Sequence, residues 1–299
     1  MIKSEIKELP MKFVCPSLVA LMVVACLAGP ARAELDWQVL GNIDVDAEVR
    51  DMAISAEGRW IYVLTDKNEI RIYSSGGKLK GAMPIDPGYT RIKAGPREDI
   101  LLVTNKSEQS VQLVSVNPIN DFNLAGTPVK GPDNAPVTIT VFSDFECAYC
   151  ARLPKILDQV AAEYPTEVRI AFKHFPLRSH KFAIPAAQAA VAAQQQGKFW
   201  EFHDQLFLHF NELDEERVDK IVKELGLDTA RFQKDRKDER TQRIIDADSR
   251  EGYQAGVSGT PAMFINGKKQ HRRDMNAIVD AVEREIEAHS KAKSSAKPQ

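Results

Sequence analysis

Cysteine is scarce in this chain: four residues among 299, at Cys15, Cys26, Cys147 and Cys150. A single close pair is no framework of disulfides that could staple a small core. A second Cys pair is missing and so is a suitably spaced His pair, since His174/His180 and His203/His209 are each six apart, off one helical face; that leaves no four-ligand zinc set. Covalent haem attachment wants His directly after the second Cys, and Ala151 stands there. Net charge is also lacking: 40 basic against 42 acidic side chains leave −2, with no global electrostatic drive toward nucleic acid. Long apolar runs are absent as well. The one extended run, Phe13 to Ala28, has 16 residues and contains Pro16, where a spanning helix needs about 20, so no membrane span is expected.

The rest of the composition is that of an ordinary globular protein, 43% hydrophobic and 27% charged, long enough for two domains. Residues 1–33 have the parts of a secretory signal: Lys3, Lys7 and Lys12 ahead of the apolar run, and Gly29-Pro-Ala-Arg-Ala33 behind it as an A-x-A-like cleavage site. Met11 is an alternative start. Export is therefore expected, to the periplasm or beyond a bacterial membrane. Val23-Val-Ala-Cys26 also has the form of a lipobox, which makes a lipid anchor on Cys26 the alternative to cleavage after Ala33. Loss of the leader removes Cys15 and Cys26, so Cys147 and Cys150 must be judged by their own chemistry.

Residues 34–116 read as all-β, with short strand-like runs such as Trp60-Ile-Tyr-Val-Leu-Thr65 and Ile70-Arg-Ile-Tyr73 between turn residues. Gly41, Val45, Asp46 and Met52 recur 40 positions on as Gly81, Ile85, Asp86 and Ile92. After a one-residue deletion, Ile61-Tyr-Val-Leu-Thr-Asp66 recurs 39 on as Ile100-Leu-Leu-Val-Thr-Asn105. A period near 40 with about four strands per unit suits propeller blades, and the repeat looks like two blades of YVTN or NHL type; a small β-sandwich from an old duplication is the other reading. Residues 117–136, with Pro118, Gly126, Pro128, Gly131, Pro132 and Pro136, read as a linker. A second domain over 137–290 follows, and 291–299 read as a polar tail. It opens with a β-branched strand, Val137–Phe142, a helix over 151–164 and a second strand, Val168–Phe172, which make a βαβ unit. Helices are expected from Pro185 to Gln196, Lys198 to Phe210 and Glu215 to Leu225, with solvated charged faces continuing to Glu251. Ala262–Ile265, the turn Asn266-Gly267 and Lys268–His271 form a hairpin before a last helix striped by Met275, Ile278, Val279, Val282 and Ile286.

Cys147-Ala-Tyr-Cys150 falls where the first strand gives way to the helix. Unpaired N–H groups and the helix dipole favour an anion there, and a thiolate is the species that attacks a disulfide. Two intervening residues let the second thiol reach the first and release a mixed disulfide by internal exchange. A purely structural disulfide would close so small a loop that its entropic gain is slight.

Four stretches, Phe142-Ser-Asp-Phe-Glu-Cys-Ala-Tyr-Cys150, Lys173-His-Phe-Pro-Leu177, Gly197-Lys-Phe-Trp-Glu-Phe-His203 and Gly256-Val-Ser-Gly-Thr-Pro-Ala-Met-Phe-Ile-Asn-Gly267, resemble the DsbA-like branch of the thioredoxin superfamily over residues 130–289. The resemblance implies a thioredoxin-like α/β fold with a helical insertion, no diffusible cofactor, Cys147 as nucleophile, Cys150 as resolving thiol, and Thr260-Pro261 as a cis-proline loop whose backbone pairs with an extended client. Ala148 and Tyr149 would contact the client as well, Tyr149 lining its groove or packing on the domain. Two departures stand out: Ala148 replaces the usual Pro, and Val141 replaces an acid six residues before the nucleophile. Lys173 is then either the buried partner of that missing acid or a surface lysine, and Asp144 and Glu146 read as solvated loop carboxylates. The implied function is protein thiol–disulfide exchange, as oxidase, isomerase or reductase, with client proteins and a redox partner protein; the alternative is a non-redox binding or chaperone module. Two blades cannot close a ring, so the β-domain is expected to associate with a second copy in a homodimer.

Overall fold

The computed structural model describes residues 36–295; the expected signal segment, its cleavage site and Cys26 lie outside them. The N-terminal region forms two antiparallel meanders. β1 (Val49–Ile54), β2 (Trp60–Thr65), β3 (Glu69–Ser74) and β4 (Leu79–Pro84) pair in sequence order, and β5 (Tyr89–Ala94), β6 (Ile100–Asn105) and β7 (Ser110–Ser115) make a second sheet. The β3–β4 turn is permitted by Gly77 at φ +80°, a region that favours glycine.

The repeat is visible in the pairing. Met52 faces Val63 as Ile92 faces Val103, and both first strands carry a bulge at the same place, Val49/Asp51 and Tyr89/Arg91. The interval is thus 40 through β2 and β6 too, and the one-residue deletion suggested by the sequence is not there. Its cause is a change of face. The shared core takes Tyr62, Leu64 and Ile70 from the first sheet but Ile92, Leu101 and Val103 from the second. With side chains alternating along a strand, equivalent positions 40 apart therefore point to opposite sides, and a match of apolar residues slips by one.

The second domain is a five-stranded sheet in the order β12-β11-β9-β10-β8, where β8 is Val129–Lys130, β9 Val137–Ser143, β10 Val168–His174, β11 Ala262–Ile265 and β12 Lys268–Gln270. β9 and β10 are parallel and central, covered on both faces, which is why they read as nearly unbroken apolar runs. The stretch read as a linker is partly structured: Val129–Lys130 pairs antiparallel with Ile170 and Ala171. Its Pro and Gly residues hid a two-residue edge strand, a position where proline neighbours are tolerated.

Helices α1 (Leu153–Glu163) and α7 (Met275–Ser295) pack their apolar stripes on one face of the sheet, with Val137, Ile139, Ile170, Met263 and Ile278 in a common core. The other face receives the insertion: α2 (Ala183–Gln194), α3 (Phe199–Leu208), α4 (Glu215–Glu224), α5 (Thr229–Arg236) and α6 (Glu239–Gln254). Asp214, Asp228 and Asp238 cap α4, α5 and α6 by accepting from the N–H groups of Arg217, Arg231 and Arg240. α6 approaches the sheet closely at Gly252, where a Cβ would lie 2.8 Å from the Phe175 ring. α7 continues past residue 290, into the expected tail, to Ser295; the Ala- and Lys-rich sequence suits a helix, and Lys291 pairs with Glu287 one turn earlier.

Candidate active site

β9 ends at Ser143, and the chain turns through Asp144–Tyr149 into a 3₁₀ turn, Cys150–Arg152, that leads into α1 with Pro154 in its first turn. The Cys147 N–H donates to Asp144 O at 3.2 Å, and Cys147 O accepts from Ala151 N at 3.0 Å. The carbonyl of Cys147 thus takes the first helical bond, which fixes its side chain at the N-terminal mouth of the helix. Both thiols are free. Cys147 is 6% exposed and Cys150 1%, so the first is the one with any access to solvent.

Across from them the Thr260–Pro261 bond is cis, as the family resemblance implied, and Thr260 O lies 3.5 Å from Cys147 Sγ. Cys147 is drawn down from 9.0 to about 5. The largest cause is a hydrogen bond from the Cys150 thiol; burial opposes the shift, and the Thr260 hydroxyl and the backbone N–H groups of Cys150 and Tyr149 reinforce it. The Thr260 hydroxyl is buried and has no hydrogen-bond partner among the described residues, so its proton is uncommitted and can turn to a thiolate. Cys150 is pushed up, first by burial and then by its bond to Cys147. One thiol is therefore ionised at neutral pH and the other protonated.

Ala148 is exposed and Tyr149 is 70% exposed, with the Arg152 guanidinium 5.5 Å from its ring centroid. Packing of Tyr149 on the domain is thereby excluded: the turn carries the ring outward. Beside it runs an open groove between α1 and α3, lined by Ala148, Ala151, Arg152, Phe207, Leu208 and Phe210.

Three expectations need correction. Asp144 and Glu146 are not solvated loop carboxylates. Asp144 is buried and accepts from Leu177 N at 2.7 Å and from His180 Nδ1 at 2.9 Å, while Glu146 accepts from Phe182 N. Their work is to hold the loop before α2 against the CAYC turn. Lys173 is no surface lysine either. It is buried, with Asp248 and Glu251 each at 3.0 Å and Asn123 O at 2.6 Å. Its acidic partners come from α6, over 70 residues on, which no local spacing could show; Val141 lies on the other side of the sheet, beside Phe172 and Cys150.

Sequence reasoning also missed a packed aromatic floor below the cysteines. Phe145 stacks on Phe172 at 5.2 Å, and His174 and His203 meet Phe172 edge-on at 5.2 Å each. Neither ring nitrogen of His174 has a partner among the described residues, and burial drives it down to about 3. The only signal was their presence in Lys173-His-Phe-Pro and Phe-Trp-Glu-Phe-His203. Among the described residues no His, Cys, Asp and Glu cluster could hold a metal ion, and no helix is long and apolar enough to cross a membrane.

Comparison with known proteins agrees with this architecture. A family model described as thioredoxin matches residues 123–284. The chain is 38% identical over 160 residues to the Na(+)/H(+) antiporter NhaA 3 of Salinispora tropica; the match takes in 53% of this chain but only 24% of that protein. The chain thus spans about a quarter of the length of the curated relative. Among solved structures, oxidised BdbD from Bacillus subtilis aligns with TM-score 0.51 and 22% identity over 56% of this chain and 97% of that one. ScsC from Proteus mirabilis aligns with TM-score 0.50 and 20% identity over 55% and 74%. At these identities the likeness is one of fold.

Proposed function

Because the chain belongs to the thioredoxin family, we propose that it is an exported protein thiol–disulfide oxidoreductase whose working centre is Cys147 and Cys150. The observation that carries this is the division of labour between the thiols: Cys147 held at about 5 at the mouth of a helix, Cys150 buried and protonated behind it. In the oxidising direction the Cys147–Cys150 disulfide is attacked at Cys147 Sγ by a client thiolate, and Cys150 leaves as a thiolate that takes up a proton. A second client thiolate then attacks the client sulfur of the mixed disulfide and releases Cys147 as the stabilised thiolate. The client loses two electrons and the pair gains them, to be passed to a redox partner protein. Reduction runs the same steps backward.

Stabilising the Cys147 thiolate stabilises the reduced pair, which sets it toward oxidation of clients. The carbonyl of Thr260 and the exposed Ala148-Tyr149 turn offer an extended client segment backbone and side-chain contacts beside the groove between α1 and α3. On the same reading the chain divides into a leader over 1–33, a β module over 34–116 and the exchange domain, with a lipid anchor at Cys26 as the alternative to leader cleavage. The two sheets of the β module are blades of propeller type, a reading supported by their stacking through non-equivalent faces: units related by rotation about one axis bury opposite faces, whereas a two-fold sandwich buries like faces.

Equilibration with glutathione tests the function. A reduction potential above about −200 mV, on the oxidising side of the thioredoxin value of roughly −270 mV, is expected. Together with it, Cys150→Ser should accumulate mixed disulfides with clients and Cys147→Ser none. A pair that exchanges with neither glutathione nor a model peptide would leave the binding or chaperone reading in its place.

A further inference from the structure

The β module is unfinished at three places, and they match one another. The first is the end of the stack formed by β6 and β7. By the pairing registers, Ile100, Leu102, Val111 and Leu113 stand where Trp60, Tyr62, Ile70 and Ile72 stand in the first sheet. Those four contribute to the core between the sheets, while Val111 is 56% and Leu113 69% exposed. The second is the opposite end of the stack. Met52 and Ile54 on β1 stand where Ile92 and Ala94 stand on β5; Ile92 is buried against the first sheet, and Met52 and Ile54 are more than half exposed. Each open end is thus the counterpart of a face already satisfied inside the chain.

The third is the outer strand. The first sheet has four strands and the second three, so among the described residues β7 is an unpaired edge. β4 precedes β5 by the interval at which residues 39–44 precede β1, with Gly41 matching Gly81 and Ile43 matching Met83. Residues 39–44 join no strand, and Trp37, Val39 and Leu40 are exposed, Leu40 at 89%. Yet the segment already lies beside the first sheet: a Cβ on Gly77 would sit 3.4 Å from Ile43 Cγ1, and Asp46 O accepts from Lys67 Nζ. Met83, the counterpart of Ile43 by position, packs against the core shared by the two sheets. Residues 39–44 match the outer strand β4 by position but pair with no sheet, and β5–β7 is a sheet without an outer strand.

We propose that a second copy of this chain completes both. Residues 39–44 of each chain add to the free edge of β7 in the other, and the β6–β7 end of each packs on the β1 end of the other. Two copies supply four sheets, the smallest usual number for a closed ring, and the two contacts are related by a two-fold axis. No unpaired edge is left at β7, and two CAYC centres are carried by one assembly. This rests on the blade reading of the two sheets, and not on the exchange chemistry.

Light scattering on the full exported chain at micromolar concentration should give the mass of two chains. Leu113→Lys and Met52→Glu, each made alone, should give monomers with unchanged circular dichroism and Cys147 reactivity. Mixed in equal amounts they should recover the two-chain mass, because one of the two contacts in a mixed pair carries no substitution. A monomer from the unsubstituted chain overturns the exchange of strands and leaves the stack within one chain intact. Dimers broken by Leu113→Lys but not by Met52→Glu would join like face to like face, and overturn the blade reading as well. Dimers unaffected by either variant also overturn the proposal. Should a variant fail to fold, hydrogen exchange on the unsubstituted chain decides: β7 amides protected at micromolar concentration and exposed on dilution are expected, and equal exchange at both refutes it.

Discussion

Replacing Cys150 by alanine removes the largest influence on Cys147, the hydrogen bond from the Cys150 thiol. With Cys147 at about 5, half of it is thiolate at pH 5 and about 99% at pH 7. A hydrogen bond to a charged group is worth about 1.5–3 kcal/mol, and one pKa unit is about 1.4 kcal/mol, so its loss should lift the midpoint by about one unit or more. At pH 5 the thiolate fraction then drops from about one half to about one eleventh, a fivefold slower alkylation, while at pH 8 both proteins are fully ionised and react alike. The assay is the rate of iodoacetamide labelling against pH, read by mass spectrometry on the peptide that carries Cys147, so Cys15 and Cys26 do not contribute. Cys150→Ser retains a donor and should fall between. An unshifted midpoint, or a rate change of the same size at pH 5 and pH 8, would refute the reasoning, since the first denies the hydrogen bond and the second marks a steric effect.

Thr260→Val deletes a hydroxyl donor to the Cys147 thiolate while keeping the shape of the side chain; the ultraviolet thiolate titration should move upward by a fraction of a unit, and an unmoved curve would show that the hydroxyl plays no part. Burial holds His174 at about 3, below the ordinary imidazole value of about 6.5, so the unfolded chain takes the proton first and stability falls as pH drops from 6.5 toward 3. Through this group the fall should be about 1–2 kcal/mol between pH 6.5 and pH 5, read by urea unfolding, and His174→Phe should flatten that slope. Lys173→Met leaves Asp248 buried without its counterion, which should cost about 3 kcal/mol; the double variant with Asp248→Leu should recover most of it, and a neutral single variant would mean that the ion pair is dispensable.

Much of the second domain was legible because its signals are local. Val137–Phe142 is β-branched, the Ala-rich run with Pro185 and Gly197 marks α2 from both ends, and Asn266-Gly267, at φ +44° and +76°, is a hairpin turn that few other dipeptides make. The Cys147/Cys150 spacing carries its own chemistry, since two residues are what lets one thiol answer the other. What only the tertiary structure decided are contacts between distant segments. The partner of Lys173 is Asp248 on α6, 75 positions away, and a search near the cysteine finds only Val141. Asp144 and Glu146 looked like solvated acids because their N–H donors, on Leu177 and Phe182, lie beyond the next strand. In the β module the sequence determined the period, because each unit must repeat its turns and its bulge. It could not determine which face of each sheet is buried: a strand with apolar residues on both sides, such as Trp60–Thr65, has no inward side until its neighbour packs against it.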